Sequence, residues 1–327
     1  MKTENNSVKT LPRQVTKHMP RGLGLWRLFV NPRVFVVDGM NDGFYNTAMK
    51  NTWRKQMEEA AYRLKPVDVA TLSGVSGDIH FLTGKKFWYQ TLFCAYSMIQ
   101  CSGANIRPVI YDDGSLAQQY VEAIRRVIPT AKFVLTEEIE SRLEDYMPQS
   151  KFPYLRQYRS DFNVRKFTDI HASAPGWKLY LDSDMLFFRE PEFLLKWFQS
   201  PQQPCYMMDV KYGYSYTDEI KLSLTGAPLP ERLNAGLYGI KSEDVDWEKL
   251  EAWCKTLVEA EGHQFFLDQT LTAMMLAGKP STALPQDEYV VWPSIEETKN
   301  PRAVMHHYVG PVRHLYFRYA WKHVARF

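Results

Sequence analysis

Apolar and polar positions change period along the chain. Short apolar runs alternate with longer stretches at helical spacing. Val67–Leu72 reads as a first strand, followed by the turn Ser73-Gly74-Val75-Ser76-Gly77. Phe87–Gln100 reads as an apolar helix, and Ile106–Tyr111 as a second strand running into Asp112-Asp113-Gly114. A helix over Leu116–Val127, a strand over Lys132–Leu135 and a helix over Asp161–His171 follow. Trp177–Leu181 is a fully apolar strand that ends on Asp182-Ser183-Asp184. This alternation predicts an α/β fold with a mostly parallel sheet flanked by helices, where ligands lie at the carboxyl ends of strands. The second half, 185–312, is less regular, with helices near Glu190–Gln199, Asp246–Ala260 and Asp268–Leu276 between loops rich in Gly and Pro.

Ahead of this block stand a basic arm, an apolar run Val34–Val37 and a helix-like stretch from Asn41 to Leu64, which Pro66 terminates because proline cannot continue helical hydrogen bonding. The division expected is an arm and helical extension over 1–65, a catalytic domain over 66–314 and a basic-aromatic tail over 315–327. Basic ends interleaved with Tyr, Phe and Trp suit peripheral contact with an anionic membrane face.

The chain has 327 residues, 45% of them hydrophobic, so it can bury the core of a full enzyme domain. Forty basic residues against 37 acidic give a net charge of +3, which excludes a nucleic-acid partner bound through bulk charge. Cys94, Cys101, Cys205 and Cys254 form no CxxC pair, so neither a zinc knuckle nor a disulfide framework is expected. No apolar stretch is long enough to span a bilayer, and the amino terminus lacks a signal core. A cytoplasmic location is expected.

Four motifs carry candidate chemistry. In an extended chain Asp182 and Asp184 point the same way, and two carboxylates with open positions beside them suit Mg²⁺ or Mn²⁺ on a diphosphate. An acidic turn after a strand is the plainer reading of the same residues. His307, Gly310 and Arg313 would offer a metal-binding imidazole, a bare backbone and a phosphate-binding guanidinium. Asn234-Ala235-Gly236 comes between these two. Asp268-Gln269 opens an apolar helix, where Asp268 would by itself read as a cap.

Taken in order, D-x-D, N-A-G, D-Q and H-x-x-G-x-x-R resemble the glycosyltransferases of the GT-A fold, most closely the retaining family 8, over roughly residues 67–314. Lys178-Leu179-Tyr180-Leu181-Asp182 is similar to that family's strand, and Arg313 stands where it carries Lys. The resemblance implies a sugar transferred from a nucleotide-diphosphate sugar to an acceptor hydroxyl. Asp182, Asp184 and His307 would hold Mn²⁺ (or Mg²⁺). Ser73, Asp112, Arg165, Lys166, Ser183, Gly310 and Arg313 would meet the donor, a UDP-sugar. Asn234, Asp268 and Gln269 would lie at the anomeric carbon, with retention of configuration and Asp209 or Glu231 as rival bases. The acceptor, a saccharide, lipid or protein, stays open. The first-strand turn departs from the family's acidic one. The alternatives are a binding protein that keeps the fold and a phosphatase with a strand-end D-x-D. For the latter, Leu186 stands where Thr or Val is wanted.

Overall fold

The computed structural model describes residues 43–327 apart from 160, 161, 173 and 174, so the basic arm and the run Val34–Val37 lie outside the described residues. After helix α1 (Phe44–Ala61), strands β1 (Ser73–Thr83), β2 (Ala104–Asp112) and β3 (Lys132–Val134) pair in parallel in the order β3-β2-β1. Strand β4 (Trp177–Leu181) lies parallel to β1 on its other side. The strand order therefore reverses between β1 and β4, and the crevice outside their carboxyl ends is the place such sheets bind ligands.

After β4 the chain leaves the sheet as β5 (Met185–Phe187) and returns as β6 (Cys205–Met208), β7 (Leu233–Lys241) and β8 (Thr282–Ala283), which extend it as β4-β7-β6-β8. Among the described residues of this sheet, only β7 runs against its neighbours. Strands β9 (Tyr289–Val291) and β10 (Met305–His307) close a small second sheet, β5-β10-β9. The mostly parallel α/β architecture expected from the sequence is the one observed.

Trp177–Leu181 is the strand expected, and its apolar run is buried on both faces, as a central parallel strand requires. Lys178 is the exception within it. Burial pulls its amine down to about 8, and Nζ donates to the carbonyl of Ile170 at 2.5 Å. Helix α2 (Trp88–Ser102) is buried from Trp88 to Ile99, so its apolar residues form no stripe and simply fill the interior.

The first strand is displaced from its expected place. Val67–Leu72 is loop with a 3-10 turn at Val69–Thr71, and the Ser-Gly segment read as a turn is the beginning of β1. Gly77 stands there for packing. A Cβ on Gly77 would lie 2.5 Å from a ring carbon of Phe198, so this strand and the helix beside it approach too closely for a side chain. Only the second half of the strand, Ile79–Thr83, is fully buried.

The expected boundaries at 65 and 314 run through one core. Trp53, Met57 and Ala61 of α1 share a hydrophobic cluster with Ile79 and Phe81 of the sheet and with Tyr316, Phe317 and Trp321 near the carboxyl end. That end is helical from Arg313 to Val324, with a π-helical turn over Tyr316–Ala320. Arg318 ties it to α1. Its guanidinium lies over Tyr45 (5.3 Å), Trp53 (5.2 Å) and Tyr319 (4.8 Å), and it donates to Asn46 Oδ1 at 3.2 Å. All four cysteines are free, three of them buried. Among the described residues no helix is long and apolar enough to cross a membrane.

Candidate metal and diphosphate site

Asp182-Ser183-Asp184 is a turn between β4 and β5, not the extended segment that alternation suggested. The carboxylates converge nonetheless, because the turn is pinned along its backbone. The amide of Asp182 donates to the carbonyl of Gly236 (2.7 Å), and the amide of Tyr308 donates to the carbonyl of Asp184 (2.9 Å). Tyr180 Oη donates to Asp182 Oδ1 at 2.6 Å. Tyr180 lies on β4 and Asp182 just past its end, so this contact ties the turn to the strand.

His307, the last residue of β10, closes the cluster. Its Nε2 lies 3.1 Å from Asp184 Oδ1 and 3.8 Å from Asp182 Oδ2. Gly236 makes room for it, since a Cβ there would stand 2.5 Å from His307 Cε1 and 2.9 Å from Met185 Cε. This is why the N-A-G motif ends in glycine. Burial raises the carboxyl of Asp184, but the bond from His307, its charge and that of Arg313 outweigh it and hold the group down at about 2. Asp184 is thus anionic over any physiological range.

The donor set fits a hard or borderline divalent cation. One oxygen from each carboxylate and the imidazole nitrogen lie within 4.8 Å of one another, close enough to surround one ion. The other ring nitrogen, His307 Nδ1, is buried without a hydrogen-bond partner, so the ring's polar contacts all lie on the carboxylate side.

Charged groups flank the cluster on two sides. Lys166, on helix α6 if helices are counted in chain order (Phe162–His171), is buried, with Nζ 3.0 Å from Asp268 Oδ2 and 3.8 Å from Asp182 Oδ1. Burial works against its charge, but Asp182 and Asp268 raise its pKa above the ordinary lysine value. Asp268 therefore pairs with a lysine and does not cap its helix, whose cap position is Phe266. Arg313 Nη2 lies 3.3 Å from Asp184 Oδ2, and its side chain is 44% exposed, so it is free to meet an incoming anion. Gly310 sits at φ 64°, a backbone that favours glycine, beside the indole of Trp292.

Gln269 and Asn234 reach the same region but are already bonded. Gln269 Oε1 accepts from the amide of Ala235 (3.1 Å), and its Nε2 donates to the carbonyl of Gly213 (2.8 Å). Asn234 Oδ1 accepts from the amide of Gly236 (2.9 Å), and its Nδ2 donates to Asp209 Oδ2 (2.7 Å). Both brace the strand that faces the cluster.

Other expected donor residues stand elsewhere or are occupied. Ser73 begins β1 and pairs with Ala104, at the strand's amino end, whereas Asp182 follows the carboxyl end of β4. Its expected contact with the donor is therefore not supported, and the cause is the displaced strand. Asp112 is spent on its own loop. Oδ1 accepts from the amides of Gly114, Ser115 and Leu116, and Oδ2 from Thr136. Arg165 holds the same loop by donating to the carbonyls of Asp112 (3.2 Å) and Asp113 (2.5 Å), while its Nε bonds Asp169. Ser183 is held by Thr91. That threonine donates its one proton to Thr83, so the 2.9 Å contact between Thr91 and Ser183 takes its proton from Ser183. Thr83 and Thr91 were absent from the sequence reading, and a correct placement of β1 would have put Thr83 at its carboxyl end. Tyr180 was legible from its spacing to Asp182.

No protein-family model matches the chain, and no curated protein sequence matches it. Solved structures overlay it in part. The galactosyltransferase LgtC, in complex with donor and acceptor sugar analogues, shares 15% identity, with 72% of this chain and 88% of that chain covered and a TM-score of 0.48. Mouse xyloside xylosyltransferase 1 shares 12% identity, with 71% and 97% covered and a TM-score of 0.48. The bifunctional glycosyltransferase WbbM shares 12% identity, with 78% and 52% covered and a TM-score of 0.49.

Proposed function

We propose that the chain is a glycosyltransferase of the GT-A type, moving a sugar from a nucleotide-diphosphate sugar to an acceptor hydroxyl. One observation carries this reading. Asp182, Asp184 and His307 converge, with Arg313 beside them, outside the carboxyl ends of strands where the sheet order reverses. A divalent cation held there, Mn²⁺ in preference to Mg²⁺ because of the imidazole, would offset the charge of a diphosphate leaving group.

The chain's own residues supply the rest. Arg313, half-exposed, stabilises negative charge that grows on the departing diphosphate. The bond from the anomeric carbon to the phosphate oxygen breaks, and its electron pair leaves with the diphosphate. The acceptor oxygen bonds to the same carbon and gives its proton to the departing diphosphate. Gln269 and Asn234 set the wall beneath the sugar through β7, and Lys166 holds Asp268 in place through their ion pair. Retention fits this arrangement, and the donor is expected to be a UDP-sugar by the family resemblance alone. Asp209, bonded to Asn234, is the rival base for inversion.

The test is hydrolysis of UDP-sugars by the purified protein with Mn²⁺ and with excess EDTA. Turnover that requires the metal is expected. Binding without turnover over a full donor panel would make the protein a binder, and undiminished turnover in EDTA would remove the metal from the reading.

A further inference from the structure

The D-S-D turn has one more tether, and it comes from the π-helical turn near the carboxyl end. Tyr316 is fully buried, and its hydroxyl donates to the carbonyl of Ser183 at 3.3 Å. Ser183 lies between the two carboxylate residues. Its hydroxyl proton is committed to Thr91, so its hydroxyl is held by α2 and its carbonyl by the π turn. A π turn widens the helix, is rare, and is found frequently at functional sites. Here the widening lets Tyr316 and Phe317 both point inward, where both are buried, while Arg318 reaches the rings of α1.

We propose that Tyr316 is a positioning residue for the metal site, fixing the separation of the Asp182 and Asp184 carboxylates through the Ser183 carbonyl, with Arg318 holding the π turn that carries it. The inference rests on the metal reading given above. Without the hydroxyl, the Ser183 carbonyl loses its donor in a part-buried place, and the peptide plane between the two aspartates is free to tilt toward another partner. Such a tilt moves both carboxylates at once. The effect falls on metal binding before it falls on the fold, because the ring of Tyr316 still fills its cavity when the hydroxyl is removed.

The experiment is calorimetric titration of Mn²⁺ into the full chain, wild type and Tyr316→Phe, with and without a nucleoside diphosphate, alongside the Mn²⁺ electron paramagnetic resonance spectrum and thermal unfolding. Tyr316→Phe is expected to weaken Mn²⁺ roughly tenfold, the scale of lost outer-sphere support, and to change the spectrum, with little change in melting temperature. Arg318→Leu leaves every contact of the cluster in place and is expected to weaken Mn²⁺ in the same direction by less. A Tyr316→Phe protein that melts lower but binds Mn²⁺ as the wild type does overturns the inference and leaves the metal site standing. Unchanged affinity in Arg318→Leu overturns the role given to the π turn. A wild type that binds no Mn²⁺ overturns the metal site and the inference with it.

Discussion

Between Ser73 and Leu181 the chain makes parallel strands with well-packed helices between them, and no described residue other than glycine takes a positive φ. Beyond Met185 the strands other than the nine-residue β7 are short, β8 being a single Thr-Ala pair, and three residues other than glycine adopt positive φ: Tyr216 at 70°, Arg232 at 47° and Trp292 at 57°. Such conformations cost energy and persist where the surroundings hold them, commonly near ligands. Two of the three touch the candidate site through the backbone. The carbonyl of Arg232 accepts from the amide of Asp209, and the amide of Trp292 donates to the carbonyl of His307. The first region is thus a scaffold whose order follows from burial. The second holds most of the side chains that the proposed function places at a ligand. The Asp182, Asp184 and His307 cluster lies on the seam, with the two aspartates following the first region and His307 belonging to the other.

If that contrast is sound, changes at the seam abolish activity, changes in the scaffold cost stability, and changes on the far side alter binding. The largest effect is expected from Asp184→Ala, which removes a ligand from the cluster and should lower metal-dependent donor hydrolysis about a thousandfold, roughly 4 kcal/mol in the barrier. A radiolabelled donor assay checks it, and a loss under tenfold would place the metal elsewhere.

Lys166→Met comes next. It leaves Asp268 and part of Asp182 buried without their cation, which should cost about 3–5 kcal/mol in urea unfolding. A change under about 1 kcal/mol would mean that the two regions are not joined at this pair.

Acid should act on the scaffold by itself. Burial holds His80 at about 3, and burial with the Lys178 charge holds His171 well below the ordinary histidine value. Both fold as neutral rings, while the unfolded chain takes up protons near 6.5. No penalty exists above 6.5. As pH falls below it, the unfolded state binds more protons, and stability should drop by about 1.4 kcal/mol per unit for each histidine until the folded values are reached. Urea midpoints of His80→Gln across pH 7 to 5 should fall less steeply than those of the wild type. Equal slopes would remove His80 from the account.

The smallest structural effect is expected from Arg313→Ala. Its ion pair with Asp184 is half-exposed, so stability should change by less than about 1 kcal/mol. Nucleoside diphosphate binding should still weaken about tenfold, from the loss of a charged hydrogen bond. Normal binding in a calorimetric titration would take Arg313 out of the phosphate site.

The same contrast explains what could be read from the sequence. Trp177–Leu181 was legible because a strand buried on both faces is a continuous apolar run, and the acidic turn after it followed. Helix α2 and strand β2 were legible within a few residues. Strand β1 was misplaced because Ser73–Asp78 has no apolar alternation, its glycine serving a ring of Phe198 that no local pattern announces. The helix Thr136–Tyr146 went unseen because only Ile139 and Leu143 are buried in it, too narrow a stripe among its acids. Strands β5, β9 and β10, at three residues each, are shorter than any period that could reveal them. In the site, the order of motifs gave Asp182, Asp184 and His307. The roles of Ser183 and Arg165 depended on hydrogen bonds to residues distant in sequence, Asp112 is taken up mainly by amides two to four residues on, and Tyr316 gave no local signal at all.

The place of β10 bears on how the protein is made. It is the middle strand of its small sheet, yet it follows both partners in the chain, and the ligand it delivers is 123 residues from Asp184. On the ribosome, β5 and β9 emerge before the strand that joins them, so each waits with an unpaired edge, the kind of surface chaperones cover. Until β10 inserts, the two aspartates stand without their imidazole. Tight capture of manganese would then report a completed chain, and metal present during refolding should draw the last strand in, since an ion that binds only the finished site favours the state that has it.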